Sequence, residues 1–344
     1  MTPQQPGQPS GAIPQIPEEP TAASAARAVG AAAGQPVWPP APLALAAAER
    51  MVAQALSAAD VFCGHGTDNA EDEACWLVRA AAGLSVQEPL DSGLALDDGQ
   101  LARIAVWLEQ RINQRVPVAY LAGRAWFAGL EFEVSNQVLV PRSPMGELIQ
   151  DGMSLWRLPS GAKVLDLCTG SGCIAVALAH YLADLEVWGS DIDADALAVA
   201  ERNAARHRVA ERCRFRRSDV FDQLPGRFDL IVSNPPYVGE AEYAALPAEY
   251  LREPSLGLKS GIDGLDLPLK ILESSVDHLT PAGSLILEVG ASAEALAGQL
   301  PDIPFTWLEF EHGGEGVLTA TADELRDWRP AIGALLKARS QHGQ

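Results

Sequence analysis

The sequence has little positive charge. Lys and Arg number 25 against 45 Asp and Glu, and only four of the cations are Lys, so the formal net charge is −20. A protein whose main task is to hold free DNA or RNA needs clustered cations that neutralise phosphates. The sequence therefore argues against that class of protein, and its acidity favours a basic partner.

Paired cysteines and long apolar runs are also missing. The five cysteines form no C-x-x-C pair, so neither a disulfide framework nor a zinc site is predicted, and we expect no metal. No stretch of about 18 apolar residues is present to form a transmembrane helix. The N-terminus has no cation before Arg27 and no compact apolar run, unlike a secretory signal. These absences predict a cytoplasmic protein with no membrane partner.

The chain divides by composition and by the period of its apolar residues. Residues 1–42 hold ten of the 25 prolines and are predicted to be a disordered tail. Helical spacing then predicts three helices, over 43–57, 68–82 and 98–115. They indicate a small helical domain over 43–123. Alternating apolar residues around Ser135-Asn136 predict a β-hairpin linker over 124–144.

From residue 145 onward, predicted strands alternate with predicted helices. After a helix over 145–156, the strands are expected at 163–168, 186–191, 214–217, 228–233, 284–288, 305–310 and 316–320. Such alternation predicts an α/β domain with a parallel sheet, here over 145–325, followed by a C-terminal tail over 326–344. No convincing helix separates the last two strands, which indicates an antiparallel end to the sheet.

A glycine-bearing turn follows the first of these strands. Glycine at 170 and 172 lets the backbone approach a ligand where a Cβ would collide. Asp191 ends the next strand, where a carboxylate can accept both hydroxyls of a ribose. The spacing also satisfies the dinucleotide fingerprint, and a merely tight turn is a further alternative. Asp166 favours S-adenosylmethionine over a nicotinamide cofactor, because class I methyltransferases use a carboxylate there to organise the glycine loop.

The strand predicted at 228–233 runs into Asn234-Pro235-Pro236-Tyr237. A planar amide or amino nitrogen is a poor nucleophile because its lone pair is delocalised. The Asn234 side-chain oxygen and the Pro235 carbonyl can each accept one of its N–H bonds, which orients the nitrogen and stabilises developing positive charge. The prolines fix the backbone, and Tyr237 supplies a flat face for the substrate. An ordinary turn is the weaker alternative, because the motif follows an apolar strand and a glycine loop.

Other candidate residues carry weaker signals. Asp219 and Val220 follow the third strand and could line an adenine pocket, although a capping Asp is nearly as good an interpretation. Glu147 could reach the ammonium group of the cofactor, or it could be a solvated residue in the first turn of a helix. Arg142 could hold the hairpin to the following domain. His65 has no other ligand at suitable spacing, which favours an ordinary loop histidine.

In combination, these motifs resemble the glutamine N(5)-methyltransferases that modify translation proteins. Pro141-Arg142-Ser143-Pro144 is similar to the branch that acts on the third protein of the large ribosomal subunit (L three), whereas the release-factor branch typically carries Pro-Arg-Pro at this point. Further segments match the same branch: 64–69, 111–121, 166–173 and 249–266. The resemblance covers about residues 45–325.

The resemblance implies a class I S-adenosylmethionine-dependent methyltransferase. Its expected fold is a Rossmann-like, seven-stranded sheet preceded by a small helical domain that recognises the substrate protein and by a linking β-hairpin. The expected cofactor contacts are Asp166, Cys168, Thr169, Gly170, Ser171, Gly172, Asp191, Asp219, Val220 and Asn234. The expected catalytic residues are Asn234, Pro235 and Tyr237, and with Pro236 they also form the expected substrate contacts. Ribosomal protein L three, itself basic, is the expected partner.

Three alternatives stay open on the sequence. The release-factor branch shares the chemistry and differs in the substrate-recognising helices. A DNA adenine N(6)-methyltransferase also uses Asn-Pro-Pro-Tyr, but the net charge of −20 counts against it. A non-catalytic ribosome-assembly factor could retain the fold, although the intact Asn234 and glycine loop count against that hypothesis.

Overall fold

The computed structural model describes residues 36, 38–86 and 93–342. The predicted disordered tail over 1–42 lies outside this part of the chain apart from residues 36 and 38–42. The helices are α1 Leu45–Ala58, α2 Ala70–Ala82, α3 Asp98–Asn113, α4 Val118–Ala122, α5 Met145–Gln150, α6 Cys173–Tyr181, α7 Ala194–Arg206, α8 Glu240–Ala245, α9 Asp266–His278, α10 Ala293–Gln299 and α11 Ala322–His342. The strands are β1 Leu43–Ala44, β2 Ala95–Leu96, β3 Arg124–Phe127, β4 Leu130–Glu133, β5 Lys163–Leu167, β6 Glu186–Asp191, β7 Cys213–Arg217, β8 Phe228–Ser233, β9 Leu279–Glu288, β10 Thr306–Trp307 and β11 Val317–Thr321.

The first three long helices pack into an apolar cluster of their own. Its fully buried members include Leu56 of α1, Leu77 of α2 and Leu108 of α3. Asn69 begins α2 by accepting the amide hydrogen of Asp72 with its side chain. Helical periodicity thus places one apolar face of each helix in a shared core, as the sequence predicts.

A seven-stranded sheet forms the second part of the molecule, in the order β10-β11-β9-β8-β5-β6-β7. The five strands β5 to β9 are parallel, and β10 and β11 are antiparallel. The predicted Rossmann-like α/β fold and the antiparallel end of its sheet are confirmed. The strand order reverses between β5 and β8, and open α/β sheets bind ligands outside the carboxyl ends of their strands at such a point.

The β-hairpin has a different turn from the predicted one. β3 and β4 are joined by Ala128 and Gly129, whose φ angles of 48° and 76° are typical of a two-residue hairpin turn. The predicted turn at Ser135-Asn136 was wrong, because the backbone amide of Val140 donates to the Glu253 side chain and not to a partner strand. The hairpin packs against both cores: Ala125 joins the helical cluster, and Phe127 joins the cluster under the sheet.

The end of the chain also differs from the prediction. Residues 326–342 continue α11, so the expected C-terminal tail was wrong over this range. Leu325, Trp328 and Ile332 recur at three- and four-residue spacing and are buried in the core of the sheet domain. Conversely, the helix expected over 145–156 ends at Gln150, because the next residues form turns in which Gly152 and Met153 have positive φ.

Candidate active site

A cavity of about 200 Å³ lies at the carboxyl ends of β5, β6, β7 and β8. It is lined by the loop 168–171, by Asp191, Asp219 and Val220, and by Asn234 and Pro236. These residues come from four strand ends spread over about 70 positions of sequence. The fold therefore brings together most of the residues that the sequence predicts for the cofactor.

Asp166 supports the glycine loop through hydrogen bonds. Its side chain is fully buried, and one oxygen, Oδ2, accepts hydrogen bonds from Thr169 Oγ1 at 2.6 Å and from the Ala175 amide at 2.9 Å. Burial raises the pKa of this carboxyl to about 7, against the opposing effect of these hydrogen bonds. The other oxygen, Oδ1, is buried with no hydrogen-bond partner among the described residues. Asp166 thus supports the loop and does not itself line the cavity.

The two glycines of the loop are needed for different structural reasons. Gly172 has φ 77°, and a Cβ there would lie 2.8 Å from the Ala200 Cβ, so α6 and α7 can approach only with glycine at this position. Gly170 has φ 53° and would place a Cβ in open space, with no atom within 4 Å. Because Gly170 lines the cavity, that space is open to a ligand. The prediction of close ligand approach therefore fits Gly170, whereas Gly172 serves helix packing.

Asp191 fixes the far side of the same loop. Its Oδ2 accepts the Gly170 amide hydrogen at 2.9 Å, and its Oδ1 accepts that of Asp193 at 3.0 Å. Burial raises the pKa of Asp191, although these hydrogen bonds act in the opposite direction. A carboxylate oxygen has two lone pairs, so each oxygen can still accept one hydroxyl. Val220 borders the same cavity with φ 47°, a conformation that β-branched residues rarely adopt.

Asn234 stands where two cavities meet. The second cavity is lined by Leu139, Arg142, Asn234, Pro235, Tyr237, Val238, Leu246, Tyr250, Gly257 and Leu258. Ser233 pairs with Leu167 of β5 in the sheet and also donates its hydroxyl to the Leu167 carbonyl at 2.7 Å, which fixes the start of the motif. Within the described part of the chain, no residue hydrogen-bonds the Asn234 side chain. Its amide is thus free for a ligand.

Tyr237 is held at three points. Its hydroxyl donates to Glu288 Oε1 at 2.9 Å, and its carbonyl accepts from Ser292 Oγ at 2.7 Å. Its ring packs against Gly290, where a Cβ would lie 2.5 Å from a ring carbon. Sequence reasoning missed Glu288 and Ser292. A carboxylate directly after the apolar strand end Leu285-Ile-Leu287 was the available signal, since polar residues at such an edge face the ligand site.

Arg142 and Glu253 form a bidentate ion pair beside the second cavity. Both guanidinium–carboxylate distances are 2.7 Å, and the guanidinium lies 5.1 Å from the centre of the Tyr250 ring. Burial alone would raise the pKa of Glu253, but the neighbouring His65, with Nε2 at 3.5 Å from Oε2, and the charge of Arg142 lower it to about 2. Arg142 therefore joins the linker to the sheet domain. His65, expected as an ordinary loop residue, is buried against this pair.

A second buried ionic cluster joins the helical part to the sheet domain. Arg111 of α3 is 1% exposed and forms ion pairs with Glu73 of α2 and, at 3.0 Å, with Glu249. It also donates to the Phe62 carbonyl at 2.8 Å. Glu249 lies one residue before Tyr250, which lines the second cavity. The helical part thus braces the segment that forms one wall of the site.

Glu147 does not contribute to either cavity. Its carboxylate accepts the amide hydrogens of Glu311 and His312, at 2.8 and 3.2 Å, in the loop before β11. The suggested contact with the cofactor ammonium group is therefore wrong. The first-turn position of Glu147 serves loop attachment.

Known proteins resemble this chain over most of its length. The profile of the family "Methyltransferase small domain" matches residues 153–261. A Francisella tularensis protein named ribosomal protein uL3 glutamine methyltransferase is 44% identical over 283 residues, covering 80% of this chain and 90% of that protein. A Xylella fastidiosa protein of the same name is 47% identical over 297 residues, covering 84% and 94%. The chain belongs to the uL3 glutamine methyltransferase family.

The site fits the cofactor of this methyltransferase family, S-adenosylmethionine. The space above Gly170 is a cradle that a Cβ would fill, and the adjacent Asp191 retains acceptor capacity for hydroxyl groups. Asp219 and Val220 line the same cavity. Cys168 has φ 62° and also lines the cavity. None of the described helices combines the length and apolar composition needed to cross a membrane.

Proposed function

We propose that this protein transfers a methyl group from S-adenosylmethionine to the side-chain amide nitrogen of a glutamine in ribosomal protein uL3. The observation that carries the proposal is the position of Asn234 at the junction of two cavities, with its side-chain amide free. One cavity carries the glycine loop and acidic strand ends suited to the cofactor. The other is walled by Tyr237, Tyr250 and Leu139 and suits a glutamine side chain.

S-adenosylmethionine supplies an electrophilic methyl group on a sulfonium when it is bound. Gly170 and the rest of loop 168–172 would hold it, with Asp191 accepting hydroxyls, Asp219 and Val220 beside the adenine, and Asp166 supporting the loop. Asn234 would contact it at the junction of the cavities.

The catalytic work is assigned to the backbone and side chains of the Asn-Pro-Pro-Tyr motif. The Asn234 side-chain oxygen and the Pro235 carbonyl each accept one N–H of the glutamine amide, which aims its nitrogen at the first cavity. These acceptors stabilise the positive charge that develops on nitrogen during transfer. Pro236 holds the Pro235 carbonyl in place by restricting the backbone, and Tyr237 packs against the planar amide. No base is assigned, and the proton leaves to water once the nitrogen is methylated.

The division of the chain into functional parts belongs to the same proposal. Residues 43–123 act as the substrate-recognition domain, 124–144 as the linker and 145–325 as the catalytic domain. The separate apolar cluster of the helices and their bracing of the cavity wall support this division. The net charge of −20 suits a basic ribosomal protein in the cytoplasm, and neither free nucleic acid nor a membrane is a proposed partner.

The test incubates the protein with labelled S-adenosylmethionine and, separately, with uL3, a peptide chain release factor and DNA. Label is expected on uL3 and on a glutamine side chain. Label confined to release factor would assign the enzyme to the release-factor branch, and label confined to DNA would assign adenine methylation. No transfer to any substrate, with intact cofactor binding, would support the non-catalytic assembly factor.

The Asn234→Ala variant tests the chemistry. It is expected to bind the cofactor normally and to lose transfer, because one acceptor of the glutamine amide is gone. The matched control is Asn136→Ala, which removes an exposed amide in a turn outside both cavities. Asn234→Ala activity equal to that of the control would contradict the proposed role of the amide.

A further inference from the structure

Glu288 is a buried carboxylate that the proposed chemistry does not use. It ends β9, where its backbone pairs with Val317 of β11, and the preceding residue, Leu287, pairs with Ser233 just before Asn234. Sheet pairing of Glu288 on one side and of the adjoining Leu287 on the other restrains the backbone at this point. Glu288 is therefore a rigid reference point next to the motif.

Its two carboxylate oxygens are each occupied by a hydroxyl. Tyr237 donates to Oε1 at 2.9 Å, and Ser143 donates to Oε2 at 2.6 Å. Tyr237 belongs to the Asn-Pro-Pro-Tyr motif, and Ser143 belongs to Pro141-Arg142-Ser143-Pro144. One carboxylate thus joins the two motifs that identify this family, which lie more than 90 residues apart in sequence.

No cation in the described part of the chain forms an ion pair with Glu288. Arg142, the nearby cation, makes its bidentate contact with Glu253 instead. The side chain is 5% exposed, and burial raises its pKa despite the two hydrogen bonds. A buried carboxyl without an ion pair is costly for stability, and such groups concentrate at functional sites.

We propose that Glu288 is a positioning residue that fixes the separation between Tyr237 and the Pro141–Pro144 segment and so sets the width of the second cavity. Arg142 and Tyr237 are both walls of that cavity, and the motif segments that carry them meet only at this carboxylate among the side-chain hydrogen bonds described. The inference rests on the proposed function, because the second cavity is taken to hold the glutamine. Glu288 itself lines neither cavity and acts through its two partners, of which Tyr237 lines the second cavity and Ser143 the first.

The test compares four variants by cofactor binding, kcat and the KM for uL3. Glu288→Ala removes both acceptors and is expected to lower kcat/KM for uL3 by about 10- to 100-fold, the loss typical of a misplaced reactive group, with a much smaller change in cofactor affinity. Glu288→Gln should recover most of that loss, because its amide oxygen accepts from one hydroxyl and its NH₂ donates to the other. Tyr237→Phe keeps the ring and removes one hydrogen bond, so an intermediate loss is expected even if Glu288→Ala fails to fold.

Ser275→Ala is the matched control. It removes a buried hydroxyl that donates to the Ile271 carbonyl within α9 and lines neither cavity, and it should alter stability without altering kcat. Unchanged kcat/KM in Glu288→Ala would overturn the inference, as would a Glu288→Gln variant as impaired as Glu288→Ala. Failure of the wild-type enzyme to methylate uL3 would instead overturn the proposed function.

Discussion

Replacing each loop glycine by alanine separates ligand binding from packing. Alanine at positive φ costs roughly 1–2 kcal/mol in any left-handed position. Gly172→Ala adds a collision with Ala200 at 2.8 Å, and overpacking of this kind costs roughly 1–3 kcal/mol more. Gly161 has almost the same φ, 76° against 77°, and no atom lies within 4 Å of the point that its Cβ would occupy. The difference between the two variants therefore isolates the collision.

Gly170→Ala should behave in the opposite way. Its strain cost should match that of Gly161→Ala, because no protein atom lies within 4 Å of the new methyl group. The methyl group would instead occupy space in the first cavity. Overpacking of a bound cofactor by about 1–3 kcal/mol weakens its binding by about 5- to 150-fold.

The assays are urea unfolding without cofactor and calorimetric titration with S-adenosylmethionine. Gly172→Ala should lose about 1–3 kcal/mol more unfolding free energy than Gly161→Ala, and Gly170→Ala should lose the same as Gly161→Ala. Equal unfolding free energies for the Gly172 and Gly161 variants would refute the packing argument. Wild-type affinity in the Gly170 variant would refute the assignment of the open space to a ligand.

Three further predictions concern charge. Arg111→Met leaves Glu73 buried without its cation and Glu249 with Arg115 alone, and it should cost about 3–5 kcal/mol of unfolding free energy. Arg202→Met, which breaks an exposed pair, should cost about 1 kcal/mol or less in the same urea titration. The pKa of Asp166 is about 7 in the fold and near 3.8 when unfolded, so the native state binds the extra proton and stability falls as pH rises between those values. Asp166→Asn should abolish this decrease of stability with pH. Unfolding free energies that decline equally in the wild type and in Asp166→Asn would contradict the role of Asp166. Finally, kcat/KM for basic uL3 should decrease with added salt, because screening weakens its attraction to a protein of net charge −20. The kcat/KM for a short uncharged glutamine peptide should stay constant. Parallel salt curves for the two substrates would show that the net charge does not affect the rate of association with uL3.

The sheet and the main site motifs could be predicted because local pattern determines them. Asn234 and Gly170 each follow an apolar strand, and carboxyl ends of parallel strands lie at one edge of the sheet. The hairpin turn was harder, since Ala128-Gly129 lacks the usual Asn-Gly or Asp-Gly signal. Val138 and Val140 alternate as a strand would, but tertiary contacts with Tyr120 and Glu253 hold this stretch outside a sheet.

The bracing contacts of the site could not be read from sequence. Glu288 and Ser143 are 145 residues apart, and Arg111 and Glu249 are 138 apart. Local propensity and periodicity do not indicate that such distant positions are in contact, because the contact depends on how the helical part and the linker pack against the sheet domain. The error over 326–342 has a different cause, because here the sequence did carry a helical pattern. Leu325, Trp328 and Ile332 have helical spacing, and Pro330 lies on the exposed face of the helix they define.

The Arg111 cluster has a consequence for how such enzymes can be recombined. Glu73, Arg111 and Arg115 come from the helical part, and Glu249 comes from the sheet domain, yet the two cations and two carboxylates balance only as a set. A chimera that took the helical part from one relative and the sheet domain from another would leave a buried charge without its partner unless all four residues matched. Exchanging the helical part to alter the proposed substrate recognition would therefore require exchanging the cavity wall that it braces.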